Sequence, residues 1–161
     1  VEVFGYTCPH CAHFEPLLEE WTREQGKDVR VTLVPAAFGG FWDSFASAFY
    51  AAQKLGVQTR SHHDLFEAIH DKHSVPVQNV APEELAAFYA AYGVKPQDFV
   101  AAYESPQVAA QVKAARDFAA RSEIPGTPAL VVNGKYLVKG KNFQDMLRIA
   151  DALVARERAG K

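Results

Sequence analysis

Two cysteines are the only ones in the chain, and they stand three positions apart in Cys8-Pro9-His10-Cys11. Thiols at this spacing can close into a disulfide and reopen, and they become redox-active when the pair opens a helix that follows a strand. That context is present here. Cys8 falls at the helix start, where unpaired backbone N–H groups and the positive end of the helix dipole favour a thiolate. Cys11 lies one turn further in and is expected to be the buried, poorer nucleophile. Pro9 sets the first helical turn without losing a needed hydrogen bond, and His10 is expected to add positive charge beside the Cys8 thiolate. Each pKa unit by which Cys8 falls below ambient pH favours the dithiol by about 1.4 kcal/mol, which for a two-electron couple is roughly 30 mV toward oxidising power.

A pair of cysteines with histidines nearby also raises zinc. His10 and His13 flank the motif, and His62, His63, His70 and His73 follow later, with His63, Glu67 and His70 on one helical face. Structural zinc normally draws four ligands from two paired clusters, and no second Cys-x-x-Cys exists. No metal and no other cofactor is therefore expected, and the histidine set reads as a solvated helix surface. A second element is Gly126-Thr127-Pro128, directly before strand-like sequence at Ala129. Alone, it would be a plain turn or edge proline.

The elements that must position these residues follow from periodicity. Val1 to Phe4 reads as a strand. Gly5-Tyr6-Thr7 turns it into a helix carrying Phe14, Leu18 and Trp21 inward, with Pro16 expected to kink it. Val29 to Val34 reads as a second strand, completing a βαβ unit with parallel strands. From Phe41 to about Arg121 the pattern is helical. Ser61 with Asp64 resembles an N-terminal cap, Pro82 and Pro96 stand at first turns, and Gly93 ends an aromatic-rich helix. Ala129 to Val132, a hairpin turn at Asn133-Gly134 and Lys135 to Val138 return to strand. A last helix starts from an Asn142 cap. The order is βαβ, a helical block, then ββα.

Composition narrows the partners. The chain has 161 residues, 48% of them hydrophobic, enough for a well-buried core. A net charge of −2 and the absence of a Lys/Arg run argue against nucleic acid or an anionic membrane surface as partner. No apolar stretch reaches the length of a membrane span, and the first residues do not read as an export signal; a chain opening on Val1 in strand-like sequence reads as trimmed.

Taken together, Cys8-Pro9-His10-Cys11, Phe14-Glu15, Phe38-Gly39-Gly40 before the helical block, and Val131 to Tyr136 resemble the DsbA family of bacterial periplasmic thiol:disulfide oxidoreductases. The resemblance implies an α/β architecture, a thioredoxin fold with an inserted all-helical domain. Residues 1–37 and 117–161 would form the thioredoxin-fold part and 38–116 the insert. It also implies that Thr127-Pro128 is a cis-proline loop facing Cys8, with Gly126 and Thr127 offering backbone to an extended substrate. Glu2 falls where the family has a buried acid that takes the proton of Cys11. Where enteric members pair that acid with lysine, this chain has Thr32. Thr127 replaces their valine and is similar to thioredoxin and the disulfide isomerases, which implies a more moderate oxidant. Low Cys pKa and strong oxidising power are known properties of that family.

Further implications are a periplasmic location, reduced newly exported proteins as substrates, a DsbB-like membrane oxidase as partner, and a monomer. The competing uses of the same residues are a disulfide reductase or isomerase, a Cys/His metal-binding module, and a binding module with redox-inert cysteines. Phe38, Phe41 and Trp42 could form an apolar rim around Cys8 or belong to the core between domains.

Overall fold

The computed structural model describes residues 1–160. Its elements in chain order are β1 (Glu2–Phe4), α1 (Pro9–Glu24), β2 (Leu33–Pro35), α2 (Phe41–Lys54), α3 (Gln58–His70), α4 (Pro82–Tyr89), a 3-10 turn (Ala90–Tyr92), α5 (Pro96–Tyr103), α6 (Pro106–Arg121), β3 (Ala129–Val132), β4 (Tyr136–Leu137) and α7 (Phe143–Ala159). The four strands lie in the order β2-β1-β3-β4. β1 runs parallel to β2 and antiparallel to β3, and β4 returns beside β3. The parallel pair is what a helical crossover through α1 requires.

Local sequence explains most boundaries. Pro82, Pro96 and Pro106 open their helices at the first turn, where a missing N–H costs nothing. Gly93 ends the 3-10 turn at φ 82°, and Asn142 caps α7 by accepting the N–H of Asp145 at 2.8 Å. Asn133 and Gly134 both take positive φ, and the Lys135 N–H closes their turn onto Val132 O.

Several expectations need correction. The second strand is only Leu33–Pro35, because residues 29–32 run along the sheet edge with few ladder bonds, Glu2 N–H to Thr32 O being one. Strand β4 is likewise only two residues. Ser61 does not cap a helix: α3 already begins at Gln58, and the Ser61 hydroxyl donates back to Val57 O at 2.8 Å from inside it. Helix α1 continues through the exposed Pro16 to Glu24.

Because side chains alternate along β1, Glu2 and Phe4 face one side and Val3 the other. On Val3's side, Val3, Ala36 and Ala129 pack with Trp42, Phe118 and Ile124. On the other side, Leu130 packs with Phe14, Leu18, Val138 and Ala150 of the α1/α7 layer. Phe4 does not join that layer. Together with Tyr6 and Cys11 it belongs to the cluster that fills the helical block, with Phe49, Leu65, Phe66, Tyr89 and Phe99. The cysteine turn is therefore a shared wall of two cores.

Gly5, at the strand-to-helix turn, lies under the Trp42 indole; a Cβ there would come within 2.2 Å of the ring. Gly5→Ala is expected to destabilise the fold by about 1–3 kcal/mol through overpacking, read from urea unfolding. An unchanged midpoint would show that Trp42 swings away freely.

Candidate active site

Strand β1 delivers the chain to Gly5-Tyr6-Thr7, and Cys8 stands as the N-cap of α1 with extended backbone (φ −86°, ψ 116°). Its own N–H is tied to Gly5 O at 3.1 Å, and its carbonyl accepts the Ala12 N–H, the first bond of the helix. No side chain caps this end, which leaves the free N–H groups of the first turn to the sulfur. Pro9 is exposed at the first helical position.

The two thiols are chemically divided. Cys8 is half-buried and its pKa is lowered to about 5 from the ordinary 9.0, chiefly by its hydrogen bond with the Cys11 thiol. Burial opposes this, and the Thr127 side chain and the main-chain N–H groups of Cys11 and His10 add to it. Cys11 is buried and pushed far above the ordinary thiol range, because it is the proton donor in that shared bond and because it lies away from water. One proton is thus held by Cys11 and one negative charge by Cys8. Gly5 N–H points at Cys11 Sγ at 3.5 Å.

Across from the helix, Thr127-Pro128 is a cis peptide, and Thr127 O lies 3.6 Å from Cys8 Sγ, within reach of the protonated thiol. Gly126, Thr127 and Pro128 are half-buried, and β3 starts at the next residue. The His10 imidazole is exposed, and its backbone N–H is among the groups that lower Cys8.

Glu2 is only 3% exposed. Burial and the nearby charge of Glu15 push its carboxyl up to about 8. It borders a cavity of about 540 Å³ whose walls include Glu15, Thr32, Gln58, His62 and His63. Thr32, itself exposed, is on the wall of that cavity, while Glu2 pairs in register with Leu33 of β2.

Of the later histidines, His62 and His70 depart from the solvated surface expected of the set. His62 is buried, with Nδ1 2.7 Å from the Tyr6 hydroxyl, and burial lowers its pKa to about 4, so the ring is neutral. His70 Nε2 lies 2.7 Å from Tyr6 O. His63 and His73 are exposed; His63 lies between Glu15 at 3.0 Å and Glu67 at 3.3 Å, and these contacts raise its pKa. Among the described residues no three His, Cys, Asp or Glu side chains converge as a metal-binding group. Tyr6 was not singled out by sequence, and His62 and His70 stood out there only as possible metal ligands or a solvated surface. Their signal was a spacing of eight on one helix, which does not say which side faces in.

The aromatic rim divides. Phe38 is 46% exposed, its ring 5.1 Å from that of Trp42, while Trp42 packs with the Val3 cluster. Phe41 stacks on Trp42.

A strand, a tight turn and a Cys-x-x-Cys helix start facing a cis-proline loop define a dithiol/disulfide site on a thioredoxin fold. The model of the DSBA-like thioredoxin domain family matches residues 42–153. The thiol:disulfide interchange protein DsbA of Pseudomonas aeruginosa is 36% identical over 162 residues, covering 99% of this chain and 75% of that protein. The same-named protein of Azotobacter vinelandii is 37% identical over 164 residues, 100% and 75%. Among solved structures, the oxidoreductase DsbA from Xylella fastidiosa superposes with a TM-score of 0.97 at 59% identity, covering 98% of this chain and 84% of that one. This chain belongs to the DsbA family.

Because Cys8 is depressed, its contribution to the stability of the reduced protein is complete above the unfolded value of 9.0 and is lost as pH falls through about 5. The stability gap between the reduced protein and Cys8→Ser is expected to shed its pH-dependent part over that interval in urea titrations. Alkylation of native reduced protein should likewise modify Cys8 down to about pH 5 and leave Cys11 untouched. A reaction midpoint near 9.0 would remove the basis for the division of roles.

Proposed function

We propose that this protein oxidises cysteine pairs of other polypeptides by donating a Cys8–Cys11 disulfide. A substrate thiolate attacks Cys8 Sγ, the Cys8–Cys11 bond breaks, and Cys11 leaves with the electron pair and takes up a proton. The second substrate thiolate then attacks the substrate sulfur joined to Cys8. The substrate disulfide forms, Cys8 departs as thiolate, and two electrons have passed from substrate to protein. The observation that carries this reading is the thiolate at Cys8. With Cys8 at about 5, pH 7 lies two units above it, so the anion favours the dithiol form by about 3 kcal/mol, or roughly 60 mV. A low-pKa sulfur is also the better leaving group in the second step.

In this reading the cis-proline loop offers Thr127 O to an extended substrate strand beside Cys8, with Gly126 and Pro128 shaping the slot and Phe38 supplying exposed apolar surface. Glu2, protonated over much of the neutral range and near enough to Cys8 to feel its charge, supplies or accepts the Cys11 proton. Residues 1–37 and 117–161 act as the redox unit, and 38–116 as the helical insert that closes over it. The substrates are reduced proteins newly exported to the periplasm, and the monomeric dithiol is reoxidised by a DsbB-like membrane partner. No described helix is long and apolar enough to cross a membrane.

The deciding measurement is the equilibrium with glutathione. A strongly oxidising constant, and a disulfide form less resistant to denaturant than the dithiol, are the expected results; a reducing value would favour the reductase or isomerase use of the site. Cys8→Ser should abolish oxidation of a reduced unfolded protein, and Cys11→Ser should accumulate the mixed disulfide at Cys8.

Glu2→Gln is expected to slow the release of Cys11 by about tenfold or more. It should also flatten the pH dependence of stability. An acid raised to about 8 contributes stability below its ordinary 4.5 that is lost as pH rises through 8. An unaltered rate and pH profile would remove Glu2 from the proton path.

A further inference from the structure

Tyr6, two residues before the nucleophile, is held at both ends by one helix. Its hydroxyl is hydrogen-bonded with His62 Nδ1 and its main-chain carbonyl accepts from His70 Nε2, each at 2.7 Å. The two histidines are eight residues apart, about 12 Å along α3, and the tyrosine lies between them with its ring among Phe4, Phe45 and Phe66. Tyr6 is fully buried. Its carbonyl belongs to the peptide that joins Tyr6 to Thr7, one residue before Cys8. A buried carbonyl needs a partner, and here the partner comes from the helical block, not from the strand or the active-site helix.

The same turn carries the contacts of both sulfurs. Gly5 O accepts the Cys8 N–H and Gly5 N–H points at Cys11 Sγ. On the other side, Cys8 Sγ meets Thr127 O only at 3.6 Å. Hydrogen bonds weaken steeply with distance and angle, so a small drift of the 5–7 turn would loosen the bonds that hold the sulfur anion. Neither histidine is among the groups that touch Cys8 or Cys11.

We propose that His70, with His62 as its second anchor, is a positioning residue: by fixing the Tyr6 carbonyl it holds the turn that places Cys8 against Cys11 and Thr127. The inference rests on the reading of Cys8 as the nucleophile. It assigns to the helical block a part in tuning the thiol pair as well as covering it.

The test uses the full chain. His70→Ala is expected to raise the titration midpoint of the Cys8 thiolate, followed by its ultraviolet absorbance in the reduced protein. It should weaken the oxidising equilibrium with glutathione by about fivefold, the worth of one ordinary hydrogen bond. His70→Gln, which keeps an N–H donor, should restore most of both. If His70→Ala does not fold, His70→Phe supplies a ring of similar size without the donor. Tyr6→Phe, which spares the carbonyl, should move the midpoint less than His70→Ala does. A donorless variant that melts earlier yet keeps the wild-type midpoint and glutathione constant would reduce His70 to a structural role and overturn the proposal. Failure of His70→Gln to restore them would do the same. A wild-type midpoint near that of a free thiol would instead refute the reading of Cys8 itself, so the two failures are distinguishable.

Discussion

The chemistry of this protein depends on one unequal partnership, in which Cys11 keeps a proton that Cys8 gives up. The inequality has a geometric origin. Cys8 stands outside the first turn of α1, facing N–H groups that have no carbonyl to satisfy, while Cys11 is turned into the core and can only donate. A disulfide between them replaces a favourable anion and its hydrogen bonds by a neutral bond. The protein is therefore built so that its dithiol is the comfortable state, and a disulfide placed here is held ready for transfer.

Everything around the pair serves to keep that geometry. Strand β1 fixes the turn from below, and the Trp42 indole lies on Gly5, the point where any side chain would push the turn outward. The cis-proline loop bounds the sulfur on its open side, and the helical block reaches in through α3. The block is thus coupled to the redox site by polar contacts as well as by packing, since Tyr6 and Cys11 share its core cluster while His62 and His70 bond to Tyr6. The buried Glu2 and its cavity complete the arrangement with an acid whose charge is suppressed by burial and by Glu15.

Membership of the DsbA family accounts for the architecture, and two threonines stand beside its titrating groups. Thr32 lies on the wall of the Glu2 cavity, where burial and the Glu15 charge raise the acid against the opposing charge of the N-terminal ammonium. Thr127 adds side-chain hydrogen bonding to the Cys8 anion before the cis-proline. One lies at the Glu2 cavity and the other beside Cys8.

What the amino-acid order determined alone was local. The Cys-x-x-Cys at a helix start, the first-turn prolines, the Asn142 cap, the Asn133-Gly134 turn and the sequence of strands and helices all follow from short-range sterics and hydrogen bonding, which neighbouring residues dictate. What only the tertiary structure decided was direction and distance. Val29 to Thr32 had strand character but lay at an edge with little to pair with. Ser61 looked like a cap but was already inside a helix, because α3 found an earlier start at Gln58. His62, His63 and His70 share one helix, and periodicity could not tell which would face inward; that was settled by Tyr6, more than fifty residues away in the chain. Nor could sequence show that the His10 backbone N–H would be among the groups that lower Cys8. Such features depend on which long-range partner arrives at a given face, and burial, which sets the charge of Glu2, Cys11 and His62, exists only once it has arrived.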